Sequence, residues 1–350
     1  MAKTLNKKKV VIGISGGADS AVCLKLLLER GFEAIAVYIK MARYAGDTED
    51  DISSARKVAK LFKARFEVLD ARDLFCDKIV SYYDKQIKAG KTPSPCVFCN
   101  PKVKIATLSK YADKVGAYYV ATGHYARIEK HGDLLFLKKA KDRSKDQTYS
   151  LCFLSQKQLA RLITPLGNFI KKDILKTLQN TKGLEYLSSK KQSQDFCYLG
   201  NLDQGQYCSR RFLPSKGGVV GNKGEMVGFH NGIYRFTIGQ RKGIGLPGGP
   251  YYVTGKDAKK NRIIISSDER DLLKNRISVS PYNIIGPKLT DGMMVSAKLR
   301  SSQKLSKAKI ELKQKSLILN FEKPQRAITP GQVAVFYKGE VCLGGGVIHS

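Results

Sequence analysis

Two stretches hold residues whose types and spacing could do chemistry. The first is Gly13-Ile14-Ser15-Gly16-Gly17-Ala18-Asp19-Ser20, which ends the apolar run Val10-Val11-Ile12 and leads into a helical pattern with Val22, Cys23, Leu26 and Leu27 on one side. Glycines let a backbone approach a phosphate closely, while a helix N-terminus and the hydroxyls of Ser15 and Ser20 offer donors to an anion. No lysine follows the glycines, so this is not a Walker loop, and the spacing does not fit G-x-G-x-x-G. Gly13 to Gly17 formally match the G-x-S-x-G elbow of hydrolases, but that elbow sits deep in its sheet and this one follows the first strand. A tight strand–helix turn with no ligand is the duller alternative. Loss of Asp19 is expected to damage the site and spare the fold.

The second stretch is Thr92-Pro93-Ser94-Pro95-Cys96-Val97-Phe98-Cys99-Asn100-Pro101. Asn100 fits an N-cap and Pro101 a first helical residue, which predicts a helix over 102–114 with Cys99 just outside its positive end. A thiolate there is favoured by the dipole, Lys102 and Lys104, making Cys99 the best candidate for a reactive thiol. Cys96 and Cys99 also form a Cys-x-x-Cys pair. A structural zinc would need a second such pair, which the sequence lacks.

Around these stretches the pattern alternates strand and helix. Runs at 10–14, 34–39, 64–69 and 117–122 read as strands, and 18–30, 51–63 and 72–88 as helices, which predicts an α/β domain with a covered parallel sheet. From about residue 217 the character changes to Gly-rich turns and short strands at 234–238, 262–265, 294–299 and 332–337. That region reads as a small β-rich linking module followed by a C-terminal β-barrel. The expected domains are 1–200, 201–272 and 273–350, in keeping with 350 residues at roughly 100 to 200 per domain.

Lys and Arg number 62 against 30 Asp and Glu, a formal charge of +32, so an anionic partner is expected, nucleic acid first. A non-enzymatic RNA-binding module would account for that charge but for neither the glycine loop nor the cysteines. The 42% of hydrophobic residues supports a packed core. No apolar run approaches the roughly 18 residues of a membrane span, and the eight dispersed cysteines do not resemble a secreted disulfide framework. The expectation is a cytoplasmic protein with no membrane partner.

Ser15-Gly16-Gly17-Ala18-Asp19-Ser20 resembles the SGGxDS pyrophosphate loop of the ATP-pyrophosphatase (PP-loop) superfamily, which has an adenine nucleotide α-hydrolase-like fold. Further matches narrow the resemblance to the tRNA-specific 2-thiouridylases, the MnmA-type branch. Residues 121–127 are similar to its ATGHYAR, 145–149 to KDQSY, 238–243 to IGQRKG and 330–337 to PGQxAVFY, while Gln194-Asp195-Phe196-Cys197-Tyr198 falls where that family keeps its second catalytic cysteine.

The resemblance implies 2-thiolation of the tRNA wobble uridine with ATP and Mg²⁺. Gly13, Ile14, Ser15, Gly16, Gly17, Ala18, Asp19, Ser20, Ile39 and Gly123 would bind ATP. Cys99 would be the nucleophile and Cys197 the persulfide carrier, loaded by a sulfur-donor protein and ending in a Cys99–Cys197 disulfide. His124, Lys145, Asp146, Gln147, Arg300, Ser301 and Gln332 would contact tRNA, and Ser94, Pro95 and Cys96 the target base. No resident metal site is implied. Departures cluster near the chemistry: Ser94-Pro95-Cys96 stands where the family reads N-P-D, and Tyr251 where it usually has tryptophan. A [4Fe-4S] cluster mechanism, with Cys197 as third thiolate beside Cys96 and Cys99, and a non-thiolating PP-loop enzyme acting on RNA stay open.

Overall fold

The computed structural model describes residues 5–41, 49–189, 202 and 204–349. Strands β1 (Asn6–Gly13), β2 (Glu33–Lys40), β3 (Arg65–Asp70), β4 (Ala117–Ala121) and the two-residue β7 (Leu162–Ile163) form a sheet in the order β3-β2-β1-β4-β7. All four pairings are parallel. Successive side chains of a strand point to opposite faces. Val10 and Ile12 accordingly enter a core with helices α1 (Ala18–Glu29) and α2 (Glu49–Leu61), while Val11 enters another with Val97, Ile105 and Leu108. Both faces being covered, these strands read as continuous apolar runs.

β1 lies between β2 and β4, so the connections leaving its two sides diverge at the carboxyl ends of β1 and β4. Ligands of open α/β sheets bind at such a switch point. Gly13 ends β1, and Gly123 is the second residue after β4.

The central region is a four-stranded sheet in the order β10-β11-β8-β9, from β8 (Gly217–Gly221), β9 (Met226–His230), β10 (Tyr252–Asp257) and β11 (Arg262–Ser266). The strand expected over 234–238 does not form. Ile233–Arg235 is a single 3₁₀ turn, bracketed by Gly232 and Gly239 at φ 145° and 89°, and its apolar residues are buried without being extended.

Strands β12 (Leu273–Ile284), β13 (Met294–Lys298), β14 (Ser306–Leu312), β15 (Leu317–Arg326), β16 (Val333–Lys338) and β17 (Val341–Ile348) close into the expected barrel through a β12–β17 pairing. The sequence reading missed a hairpin of the N-terminal region, β5 (Ala126–His131) and β6 (Leu134–Lys139), that turns at Gly132-Asp133 and pairs with β17. Its two-residue turn containing glycine was a usable signal. Barrel and α/β region share one core, in which Val333, Val335, Tyr337 and Cys342 join Cys99, Leu137 and Tyr149. Gly345 permits this approach: a Cβ there would lie 2.8 Å from Cys152 Sγ. No described helix is long and apolar enough to cross a membrane.

Candidate active site

The loop after β1 is built by its own residues. Gly16 has φ +71°, a region disfavoured for side chains, and a Cβ would meet Asp51 O at 2.5 Å. Its carbonyl accepts from Ser54 Oγ at 2.9 Å, which fastens the loop to α2. Ser20 turns inward, donating to Gly17 O (3.0 Å) and accepting from Ser15 N (3.2 Å), whereas Ser15 is exposed. Gly17 has an ordinary backbone, and a Cβ would meet only Ser15 Oγ at 3.5 Å. Neither packing nor strain demands glycine there, which leaves clearance for a ligand in front of α1. Gly123 lets the end of β4 approach α1, since its Cβ would lie 3.3 Å from Ser20 N. Ile39 sits at the carboxyl end of β2, half-buried.

Asp19 does not face solvent alone. Its Oδ1 accepts from Tyr125 Oη and from Lys171 Nζ, each at 2.7 Å. Lys171 is buried at 7% exposure and opens the helix Lys171–Gln179, its backbone N–H donating to Asp142 Oδ2. Burial and then the neighbouring Asp19 carboxylate raise the Tyr125 pKa, so this phenol stays protonated as a donor. The expectation that loss of Asp19 would spare the fold is therefore corrected: Asp19 is the counter-ion of a buried ammonium. Lys171 carried no local signal, its partner being 152 positions away.

The cysteine segment also differs from expectation. The helix begins at Cys96, not after Asn100, and runs as Cys96–Cys99, a π turn over Asn100–Lys104, and Ile105–Val115. Pro101 has no N–H to give and would clash with a carbonyl in a regular helix, and the wider turn absorbs it. Cys99 thus lies inside the first turn, buried at 5% exposure, with its N–H donating to Pro95 O at 2.9 Å. Cys96, exposed, takes the first helical position. Asn100 is no cap; its Nδ2 donates to Ser150 O.

The loop before this helix docks on the barrel. Ser94 Oγ donates to Gln332 Oε1 at 2.8 Å, and Thr92 N–H to Pro330 O at 2.9 Å. Two residues singled out far apart in sequence are thus in direct contact.

Three family descriptions match the chain in order: "tRNA methyl transferase HUP domain" over residues 8–201, "tRNA methyl transferase PRC-barrel domain" over 206–267 and "Aminomethyltransferase beta-barrel domain" over 274–348. The "tRNA-specific 2-thiouridylase MnmA" of Clostridium acetobutylicum is 39% identical, covering 97% of this chain and 99% of that protein. This chain belongs to the tRNA-specific 2-thiouridylase family. "tRNA-specific 2-thiouridylase MnmA 1" of Clostridium botulinum strain Hall is 38% identical, covering 98% and 99%.

In this 2-thiouridylase-family chain the residues marked for RNA contact are placed unequally. Lys145, Ser301 and Cys96 are exposed, and Pro95 is buried. Asp146 and Gln147 are used by the fold: Asp146 accepts from Ala140 N and Thr148 Oγ1, and Gln147 Oε1 accepts from Tyr125 N. Arg300 Nη2 donates to Thr329 Oγ1 (2.8 Å) and Ala327 O (3.1 Å). His124 Nδ1 lies 2.8 Å from Thr122 Oγ1, and burial, then Lys104, pushes its pKa down to about 3, so the ring is neutral.

Cys197 lies outside the described residues, and with it the expected pairing to Cys99. No disulfide joins two of the seven described cysteines. Burial raises the thiol pKa of Cys23, Cys152 and Cys342, the last to about 12, which marks them as packing residues. No three His, Cys, Asp or Glu side chains among the described residues are grouped to hold a metal.

Proposed function

We propose that this protein 2-thiolates the wobble uridine of tRNA at the expense of ATP, with the chain divided at 1–200, 201–272 and 273–350 into catalytic, linking and barrel domains. The observation that carries the reading is near-full-length similarity to proteins named for that activity, and the glycine loop at the end of β1 supports it. Uracil C2 carries an oxygen that is a poor leaving group, and ATP, a co-substrate here, supplies the activation: the oxygen attacks the α-phosphate and pyrophosphate leaves.

This chain's part in that step is electrostatic. The open space before Gly17, the exposed Ser15 hydroxyl and the start of α1 would receive the phosphates, with Ile39 and Gly123 bordering the nucleotide. Lys171, held by Asp19, adds a fixed positive charge beside the loop. A Mg²⁺ that accompanies such phosphates keeps mostly phosphate and water ligands, with one or two carboxylates. Asp19 offers one carboxylate already engaged through Oδ1, which fits a cation brought in by the phosphates better than a resident one.

Sulfur would come from a persulfide on Cys197, loaded by a donor protein. Its terminal sulfur replaces the adenylated oxygen, with AMP leaving, and Cys99 then attacks Cys197 Sγ and frees the thiocarbonyl. Alternatively Cys99 attacks first and releases hydrosulfide, which attacks C2. Both routes leave a Cys99–Cys197 disulfide that an external two-electron reductant must reopen. Ser94, Pro95 and Cys96 would border the target base. His124, Lys145, Asp146, Gln147, Arg300, Ser301 and Gln332 would contact or support contact with tRNA.

The test is mass spectrometry of nucleosides from tRNA incubated with the protein, ATP and a sulfur source. It should give 2-thiouridine, AMP and pyrophosphate, with Cys99→Ser and Cys197→Ser inactive and Cys96→Ser active. Equal inactivity of Cys96→Ser, with iron in anaerobically purified protein, would replace the persulfide by a cluster.

A further inference from the structure

The motif Ile238-Gly239-Gln240-Arg241-Lys242-Gly243 carries part of the family resemblance yet has no part in the chemistry above. In the structure it borders a cavity of about 600 Å³ in the central region, formed by the loop 241–251. The floor is apolar and anchored: Ile244, 9% exposed, packs into the central core with Val219 and Val253, and Leu246 and Tyr251 lie against that core. The rim is cationic. Arg241 and Lys242 are exposed, and neither is ion-paired to a described residue.

The loop is also built for close approach. Gly243, Gly245 and Gly248 have φ of 76°, 76° and 78°, and no atom lies within 4 Å of where a Cβ on Gly245 would stand. No described residue accepts a hydrogen bond from the N–H of Gly243, Ile244 or Gly245. Successive amides around left-handed residues make an anion-binding concavity. Gln240 fixes its base: Oε1 accepts from Thr237 N at 3.0 Å, and Nε2 donates to Lys242 O at 2.9 Å.

A basic rim, unclaimed amides and an aromatic wall together suit one phosphate and one base of a single-stranded nucleotide. Hydrogen bonds also link the start of this motif to residues proposed to meet tRNA. Arg300 Nη2 reaches both Ile238 O (3.4 Å) and Thr329 Oγ1 (2.8 Å), Gln332 N–H donates to Thr329 O, and Gln332 holds Ser94. We propose that this cavity is a second RNA site that receives a phosphate–base unit of the bound tRNA, with the base on Tyr251 and the phosphate between Arg241, Lys242 and the glycine amides. The inference rests on the tRNA reading given above.

The test is titration of full-length tRNA at several salt concentrations, with ATP binding by the tRNA-free protein as the control for folding. Joint replacement Arg241→Ala and Lys242→Ala is expected to weaken binding about tenfold at 0.1 M salt and to lower the slope of log K against log salt by about 1 to 2. Tyr251→Ala should weaken binding about fivefold or more with the slope unchanged, and Tyr251→Phe should restore it, because stacking needs the ring and not the hydroxyl. Wild-type affinity and slope in the double variant would overturn the site, as would equal weakening by Tyr251→Phe. If wild-type protein binds tRNA and the variants lose that binding, but no 2-thiouridine forms, the proposed function fails and the RNA site stands.

Discussion

Lys171 Nζ lies 2.7 Å from Asp19 Oδ1, joining the first turn of α1 to the start of a helix 152 positions later. The pair is asymmetric, with the lysine side chain 9% exposed and the aspartate 35%. Water can therefore solvate Asp19 if its partner is lost, but not Lys171.

From that asymmetry, Asp19→Asn should destabilise the fold by about 1–3 kcal/mol, because it strands a buried ammonium. Lys171→Met should cost less, since methionine fills the space and Asp19 reaches solvent. Both should lose pyrophosphate release. Paired chemical denaturation and pyrophosphate assays check this, and a larger stability loss in Lys171→Met would contradict the burial argument.

Adjacent glycines of the loop should separate folding from binding. Gly16→Ala forces a Cβ to within 2.5 Å of Asp51 O at a positive φ, so a stability loss of about 2 kcal/mol or more is expected. Gly17→Ala should melt like the wild type and bind ATP at least tenfold more weakly. Thermal melts with and without ATP read both effects, and normal ATP binding by Gly17→Ala would remove the phosphates from that space.

Ser94 and Gln332 should be coupled. Removal of one hydrogen-bond partner is worth about 1 kcal/mol, and Ser94→Ala with Gln332→Ala should cost less than the two singly, with a coupling of about 0.5–1.5 kcal/mol in a double-mutant cycle on stability. Strict additivity would mean that the 2.8 Å contact does not persist in solution.

Acid should act through His124. Its folded pKa, about 3, lies below the ordinary value near 6.5. The neutral ring therefore stabilises the fold above about pH 6.5, and that contribution is lost as pH falls toward 3. The imidazole is only part-buried, so the loss between pH 7 and 5 should be about 1–2 kcal/mol. Denaturation at both pH values, compared with His124→Gln, should show the wild type losing that much more than the variant.

The alternation of apolar runs and helices, the glycine loop at the end of β1 and two of the barrel strands, β13 and β16, were legible in sequence because each rests on local periodicity and turn chemistry. The start of the cysteine helix was not. Asn100-Pro101 carries a strong local start signal, but Val97, Phe98 and Cys99 are buried, with Phe98 against the rings of Tyr82 and Phe153, and a π turn accommodates the proline. The Asp19–Lys171 pair, the Ser94–Gln332 contact and the addition of β5–β6 to the barrel were decided only by tertiary structure. Each joins segments distant in sequence, and the energy of a buried ion pair or a shared core depends on which surfaces meet, a quantity absent from any local window. The sequence by itself determined which glycines, hydroxyls, carboxylates and thiols stand in the loop after β1 and in the cysteine segment. The packing determined that Asp19 answers a buried lysine, that Cys99 lies inside its helix, and that the barrel reaches the cysteine loop.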